Sequence, residues 1–544
     1  MKKITISVLL LLVFVAAGNS RTIESTGVLE GDVISSEKNE PVDWTAIIIP
    51  ELKRWQSTRD GHTFRFSDLP SGEYVLKTYR IGYKENRVTF KIMAGDTTHL
   101  ILKLTESPLE GEHVTVTANR TENGSPLQNP DILISGKSLR KNLGKTIAET
   151  IENQPGIAQR TMGPAPARPI MRGLSGDRLL LLEDGNRTGD LSATSADHAV
   201  VIEPMTTESI EIIRGPETLL YGANTLGGVI DVKRNAIPNR LSNRITGSVS
   251  LAQESVNKGY SSGFNLMVPI QHFSLHFDGS FRTADDINTP LGTLGNTAIE
   301  TLNGAAGISL FRSWGHAGVA FSQYTSDYGI PPDPLGGHPS GVDIAMDRRQ
   351  SVSEVEVESF PGIQSLLLQH NYTRYYHEEI EKSGTIGMEF GVLSHHLSGK
   401  AKLQPFAFFK NSTLGFWSEY RDYASGGLSF TPATKEYSTA FFTYHEVELG
   451  AYTLNGSLRF DAKKIQPEEE RLSRTVGLIR KRNFSGFSAA AAIERTFTDK
   501  FKSGLSFMHS FRAPGIEELF SEGPHLAAYS YEVGSADLDA ETGN

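Results

Sequence analysis

Three stretches decide how this chain folds. They are Arg168-Pro169-Ile170-Met171-Arg172-Gly173, then Arg178-Leu179-Leu180-Leu181-Leu182-Glu183-Asp184-Gly185, then Ile213-Arg214-Gly215-Pro216, which is followed by Leu220-Tyr221-Gly222 and Gly227-Gly228-Val229-Ile230. The run from Arg178 to Glu183 is apolar without alternation, as in a strand buried on both faces. Upstream, Thr146 to Asn153 has helical spacing, with Ile147 and Ile151 on one face, and Pro155-Gly156 ends it. Gly144-Lys145-Thr146 has the look of a phosphate-binding loop, but Leu139 stands where that loop needs glycine, so no nucleotide site is expected.

Beyond residue 240 the pattern changes. Phe273-Ser274-Leu275-His276-Phe277-Asp278-Gly279-Ser280-Phe281-Arg282 alternates apolar with polar, and so does Leu454-Asn455-Gly456-Ser457-Leu458-Arg459-Phe460-Asp461. Ile245 to Leu251 and Glu354 to Glu358 do likewise. Successive strand side chains face opposite sides of a sheet, so one face is apolar and the other polar. After residue 20 no stretch approaches about 18 consecutive apolar residues, which excludes a membrane helix there but not a barrel, whose strands offer lipid only every second residue.

At the other end, Lys2 and Lys3, the apolar run Ile4 to Val15 and the small residues Ala16 to Ser20 make residues 1–20 a secretory signal peptide. Residues 25–104 carry short β-rich runs, at 45–49, 63–66, 74–77 and 88–92, punctuated by Asp60-Gly61 and Pro70-Ser71-Gly72. That spacing predicts a small antiparallel sandwich. The 544 residues have a formal charge of −10 and no long basic run, so nucleic acid is not an expected partner. With no cysteine, disulfides and thiolate metal sites are excluded. No nucleophile-elbow motif or metalloprotease helix is present, and no enzyme is expected.

Taken in order and spacing, the three opening blocks resemble the plug domain of TonB-dependent outer-membrane receptors. The resemblance implies a mainly β chain: a β-sandwich, an α+β plug over 125–235, and an antiparallel transmembrane β-barrel from 240 to 544. Such barrels have 22 strands, and at roughly 25 residues per strand and loop about 12 are expected here. Asp537 to Asn544 resembles a mid-barrel motif of the family, so the chain is expected to be a truncated product or partial sequence. Residues 25–104 resemble the carboxypeptidase regulatory-like domain through Gly31-Asp32-Val33, Asp60-Gly61-His62-Thr63-Phe64, Leu69 to Tyr74, and Ile81-Gly82-Tyr83. The heptad Glu112-His113-Val114-Thr115-Val116-Thr117-Ala118 lies where the family carries its Ton box, which pairs with TonB in the periplasm by strand addition. Arg168, Arg172, Gly173, Asp184, Gly185, Arg214, Gly215 and Pro216 are given structural roles in the plug, with the four charged residues expected to pair with one another or with lumen charges.

Plug and barrel do not name a cargo. Asp197-His198 lies in a polar plug loop, Tyr376-His377-Glu378-Glu379 ends a long strand, and Gly523-Pro524-His525 follows Phe511-Arg512-Ala513-Pro514. These stretches are similar to the zinc-type branch of the receptors, which implies a metal site of Asp197, His198, Glu379 and His525. The expected function is import of a metal ion, zinc first, across the outer membrane of a Gram-negative bacterium, with no resident cofactor. Tyr328, Trp417 and Tyr420 are candidate anchors for a bulkier metal chelate or siderophore instead, and a surface adhesin is the alternative outside transport. Tyr328-Gly329-Ile330-Pro331 is followed by a single histidine, His338, rather than the His-rich loop of many zinc-type receptors; Asp327, Asp333 and Asp343 are partial substitutes.

Overall fold

The computed structural model describes residues 26–105 and 131–544, apart from 44, 53, 59–60, 81–82, 85, 334–337, 429–430 and 499–500. The signal segment 1–20 and the heptad 112–118 lie outside the described residues. Two compact units divide the chain, Met1–Thr115 and Val116–Asn544.

The first unit is a two-sheet sandwich. Thr63–Pro70, Thr26–Ser35 and Thr97–Leu104 form one sheet; Arg54–Ser57, Ala46–Ile49, Gly72–Tyr79 and Asn86–Ile92 form the other. Leu29, Ile47, Ile49, Leu69, Leu76 and Leu102 are fully buried between them. The expectation of a purely antiparallel sandwich is corrected at one pair: Thr26–Ser35 runs parallel to Thr97–Leu104. The first strand occupies the centre of its sheet, and the last strand returns to its free edge only after the second sheet has been built, which leaves room for a parallel partner.

In the second unit, the apolar run Leu179–Glu183 is a buried strand of a five-stranded sheet, parallel to Gly228–Lys233. The helix Ile147–Ile151 buries Ile147 and Ile151, and its first turn is capped by the Thr146 hydroxyl, which accepts from the Glu149 N–H. Two of the opening blocks are strands that end in turns. Arg172 and Gly173 have φ of 52° and 82°, Asp184 and Gly185 of 50° and 76°, and each pair links residues that face each other across a hairpin. Left-handed backbone at both central positions is the two-residue turn that suits strand twist, and it favours Asp-Gly pairs. Gly215, with φ of 73°, opens the 3-10 helix Gly215–Leu220, where Pro216 sits in the first turn and sacrifices no N–H bond.

The pairing expected of the four charged plug residues is corrected. Arg168 donates to the carbonyls of Ser192 and Ala193, Arg214 to that of Pro155, and Asp184 accepts from the backbone N–H groups of Arg234, Asn235 and Ala236. Among the described residues none of Arg168, Arg172, Asp184 and Arg214 makes an ion pair. Arg168, Asp184 and Arg214 serve backbone groups instead. The plug-to-wall ion pairs belong to other residues. Arg178 clasps Glu541 at 2.8 and 2.9 Å, Arg234 clasps Asp278 at 2.9 and 2.5 Å, and Glu183 accepts from Arg348 at 2.7 Å.

Among the described residues from Thr246 onward, fourteen strands form an antiparallel meander, somewhat more than the 12 expected. One set of connections is only two residues long, as at Gln271-His272, Pro361-Gly362 and Gly450-Ala451, so more strands fit the length. His276 and Asp278 are buried on one face while Phe277, between them, is 40% exposed. Val319, Phe321, Phe441, Phe487, Leu505 and Phe507 are likewise exposed on the outer face. A sheet that turns apolar side chains out and polar ones in matches a lipid surround. Among the described residues no helix is long and apolar enough to cross a membrane.

Candidate metal centre

The plug loop from Asp190 to Glu203 is fixed before any ligand is considered. Asp190 accepts from Ser192 N and Oγ and, with its other oxygen, from Val201 N, stapling the loop across its base. Tyr328, on the wall strand Gly315–Ile330, accepts from the Ala199 N–H at 3.0 Å and donates to the Asp197 carbonyl at 2.9 Å. The loop thus holds Asp197 and His198 against the wall, both fully buried.

The strand Ile363–Glu381 supplies the third group. Period-two alternation turns Tyr375, His377 and Glu379 inward, all buried, while Tyr376 and Glu378 bond to each other on the exposed face. Glu381 is engaged by His338 at 3.1 Å. The strand pleat therefore separates Glu379 from Glu378, and the His338 contact takes Glu381. The fourth group, His525, ends the short strand Glu522–His525, whose hairpin partner Ser530–Val533 carries Glu532; the preceding helix Ile516–Phe520 buries Ile516, Leu519 and Phe520.

Asp197, His198, Glu379 and His525 offer ligand atoms that all lie within 4.8 Å of one another. His525 Nε2 is 3.2 Å from His198 Nε2, 3.2 Å from Asp197 Oδ2 and 3.0 Å from Glu379 Oε1. His198 Nε2 is 3.4 Å from Asp197 Oδ2 and 3.8 Å from Glu379 Oε1. Zinc binds nitrogen and oxygen at about 2.0–2.2 Å, and tetrahedral ligands at that radius sit about 3.3–3.6 Å apart. The observed separations straddle that range.

The outer atoms of the same groups are all tied down. His198 Nδ1 faces the Leu191 carbonyl at 3.0 Å, His525 Nδ1 faces Glu532 Oε1 at 2.8 Å, and Glu379 Oε2 accepts from the Ala527 N–H at 3.0 Å. Ser195 donates to Asp197 Oδ1. Partners of this kind aim metal-ligating side chains and fix the imidazole tautomer. The inward atoms are different: Asp197 Oδ2 and Glu379 Oε1 are buried without a well-aligned hydrogen bond and share the single His525 Nε2 at 3.2 and 3.0 Å. One imidazole N–H cannot serve both oxygens, and a cation would satisfy them.

The electrostatics agree. Burial alone would raise the Asp197 pKa, but the His198 and His525 imidazoles outweigh it and hold the carboxyl below its ordinary range. Burial opposes charge on His198 and His525, but Asp197 and Glu379 together outweigh it in both, joined by Glu532 at His525, and raise their pKa. The two carboxylates thus recruit positive charge, which a divalent ion can also supply.

Two candidate chelate anchors have other tasks. Tyr328 is committed to the plug loop, and Tyr420 lies on the opposite face of its strand from Trp417, against Tyr437. Trp417 does line a cavity of about 210 Å³ beside the plug, with Arg187 over its ring at 5.0 Å. Asp343 is paired with Lys382. Reading the sequence did not single out His377, whose ring lies 4.6 Å from that of His198; period-two spacing from Glu379 was the signal that could have found it.

Residues 127–229 match the family description TonB-dependent Receptor Plug Domain, and residues 242–544 match TonB dependent receptor-like, beta-barrel. The chain belongs to the TonB-dependent receptor family. Its place is therefore the outer membrane of a Gram-negative bacterium, and its family is one of transporters and receptors rather than enzymes. The hemin receptor of Yersinia pestis is 24% identical over 475 residues, 80% of this chain and 64% of that protein. A vitamin B12 transporter, BtuB of Photobacterium profundum, is 34% identical over 122 residues, 22% of this chain and 20% of that protein. Among solved structures, the copper transporter OprC superposes with a TM-score of 0.58 at 17% identity, over 69% of this chain and 62% of that one. The hemophore receptor HasR of Serratia marcescens gives 0.61 at 14% identity, over 75% and 67%. These likenesses show the fold. The chain spans less than two thirds of the length of the hemin receptor, BtuB and OprC.

Proposed function

We propose that this TonB-dependent receptor imports a metal ion, zinc first, and that Asp197, His198, Glu379 and His525 bind it between plug and barrel wall. The observation that carries the reading is the convergence of two imidazole nitrogens and two carboxylate oxygens at tetrahedral spacing, with the outer atoms braced and the inward oxygens without a well-aligned hydrogen bond. Two nitrogen and two oxygen donors suit zinc, whereas magnesium and calcium take six or more oxygens. In this reading the heptad 112–118 is the Ton box that recruits TonB, residues 25–104 are a carboxypeptidase regulatory-like domain, and the receptor belongs to the zinc-type branch. The test is calorimetry of the full chain in detergent. H198A/H525A is expected to abolish zinc binding; a double variant that binds zinc as tightly as the parent refutes the site.

A metal-chelate cargo is the second reading. The cavity beside Trp417 favours it, since that volume exceeds what a bare ion needs. Relatives include proteins named as a hemin receptor and as a ferrioxamine B receptor. Retention of chelate binding by H198A/H525A, with W417A losing it, is the outcome that selects this reading.

A further inference from the structure

The four ligand residues divide evenly between two bodies. Asp197 and His198 belong to the plug loop; Glu379 and His525 belong to the barrel strand and a segment near the end of the chain. Any displacement of the plug loop from the wall would leave an ion with two ligands, too few for a stable zinc site. A fifth group stands beside them. His377 is fully buried, two residues before Glu379 on the same inward face. Its Nδ1 lies 2.7 Å from the Tyr375 hydroxyl, so the ring orientation is set. Its Nε2 is buried without a hydrogen bond and lies 3.9 Å from Glu379 Oε1, the same oxygen that faces the four-residue cluster. Such an atom is costly unless something visits it.

The geometry points to a second coordination state held by the barrel alone. Resting on the reading of the cluster as a metal centre, we infer that His377 replaces the plug's ligands when the plug loop withdraws. His377, Glu379 and His525 then keep the ion on the wall. Three protein ligands with a position open to water describe an exchangeable site rather than a closed one. The ion in this state is bound more weakly and open to transfer. Because the four converging groups already number what a tetrahedral ion takes and His377 is not among them, the plug-bound state does not need it.

The test uses the full chain in detergent, titrated with Co²⁺, whose visible absorption reports coordination number. The parent is expected to give intense tetrahedral bands, and H377F to give nearly the same bands, since a phenyl ring keeps the packing against Phe390. D197A/H198A is expected to retain Co²⁺ at reduced affinity with the weaker bands of an open site. D197A/H198A/H377F is expected to lose at least about tenfold more affinity. H377F in the parent, with unchanged bands, also controls for folding. Equal affinity of the double and triple variants overturns the inference while leaving the metal centre standing, and so does a double variant that binds nothing. A parent that binds no Co²⁺ overturns both.

Discussion

Asp278→Asn tests how the plug is held to the wall. Asp278 is a buried side chain that accepts two hydrogen bonds from the Arg234 guanidinium, at 2.9 and 2.5 Å, and a third contact from His276 at 2.7 Å. The nearest other carboxylate to Arg234 is Glu183, 3.6 Å away and already engaged by Arg348. The substitution keeps the shape and one acceptor but removes the charge, so two buried guanidiniums would share one carboxylate. Charge-assisted hydrogen bonds contribute about 1.5–3 kcal/mol each, and breaking a buried ion pair costs about 3–5 kcal/mol. With one acceptor retained, a loss of about 3 kcal/mol is expected. Arg234 directly follows the plug strand Gly228–Lys233, so the loss should register there as local opening. At 1.4 kcal/mol per factor of ten, amide exchange across Gly228–Lys233 should quicken about 100-fold. Arg234→Gln should do the same, and the double variant should be far from additive, with a coupling of about 2 kcal/mol. Exchange changed by less than about threefold, or full additivity, would refute the reasoning.

Three further outcomes are expected. Val114→Pro removes a backbone donor from the proposed Ton box, so the full chain should still bind cargo while energised uptake fails; normal uptake would sink the assignment. Tyr328→Phe strips the hydroxyl that ties down both the Asp197 carbonyl and the Ala199 N–H, and zinc affinity by competition should fall about 10–100-fold although no ligand is touched. In the proposed site zinc must displace protons from His198 and His525, where burial opposes charge but Asp197 and Glu379 together raise the pKa values. Affinity should therefore fall as pH falls, and the fall should begin above the ordinary histidine range near pH 6.5. An affinity that is flat between pH 8 and pH 6.5 would contradict those two raised values.

The parts of this receptor that the sequence discloses are those governed by local rules. Alternation in Phe273–Ala284 and Tyr452–Pro467 announces strands with one wet and one apolar face, and the Leu179–Glu183 run announces a strand buried on both. Asp184-Gly185 is a turn by chemistry alone. What local rules do not reach is the choice of partner. Arg168 and Arg214 carry charge in motif blocks, which invites a search for counter-charges, yet both spend their donors on carbonyls. The ion pairs across the plug surface include those of Arg178, Glu183 and Arg234, in or beside the same blocks, because those side chains cross to the wall. Tyr328 shows the same limit: its ring suits a ligand by type, but its hydroxyl faces inward onto the plug.

The metal cluster sits between those two cases. Asp197 and His198 are adjacent, so one loop conformation presents both, and adjacency is visible in sequence. Glu379 is separated from Glu378 only by the parity of its strand, which becomes decisive once one inward residue of that strand is known. That parity assigns Tyr375 and His377 to the same face as Glu379, and it would have added His377 to the candidates without any structure. The distance between His525 and His198, 327 positions apart, is different in kind. No spacing rule brings them to 3.2 Å; that contact exists only because a plug fills a barrel. A site assembled from both bodies is therefore one whose geometry changes whenever the plug moves, and in the proposed reading that dependence links cargo binding to a pull from the periplasmic side.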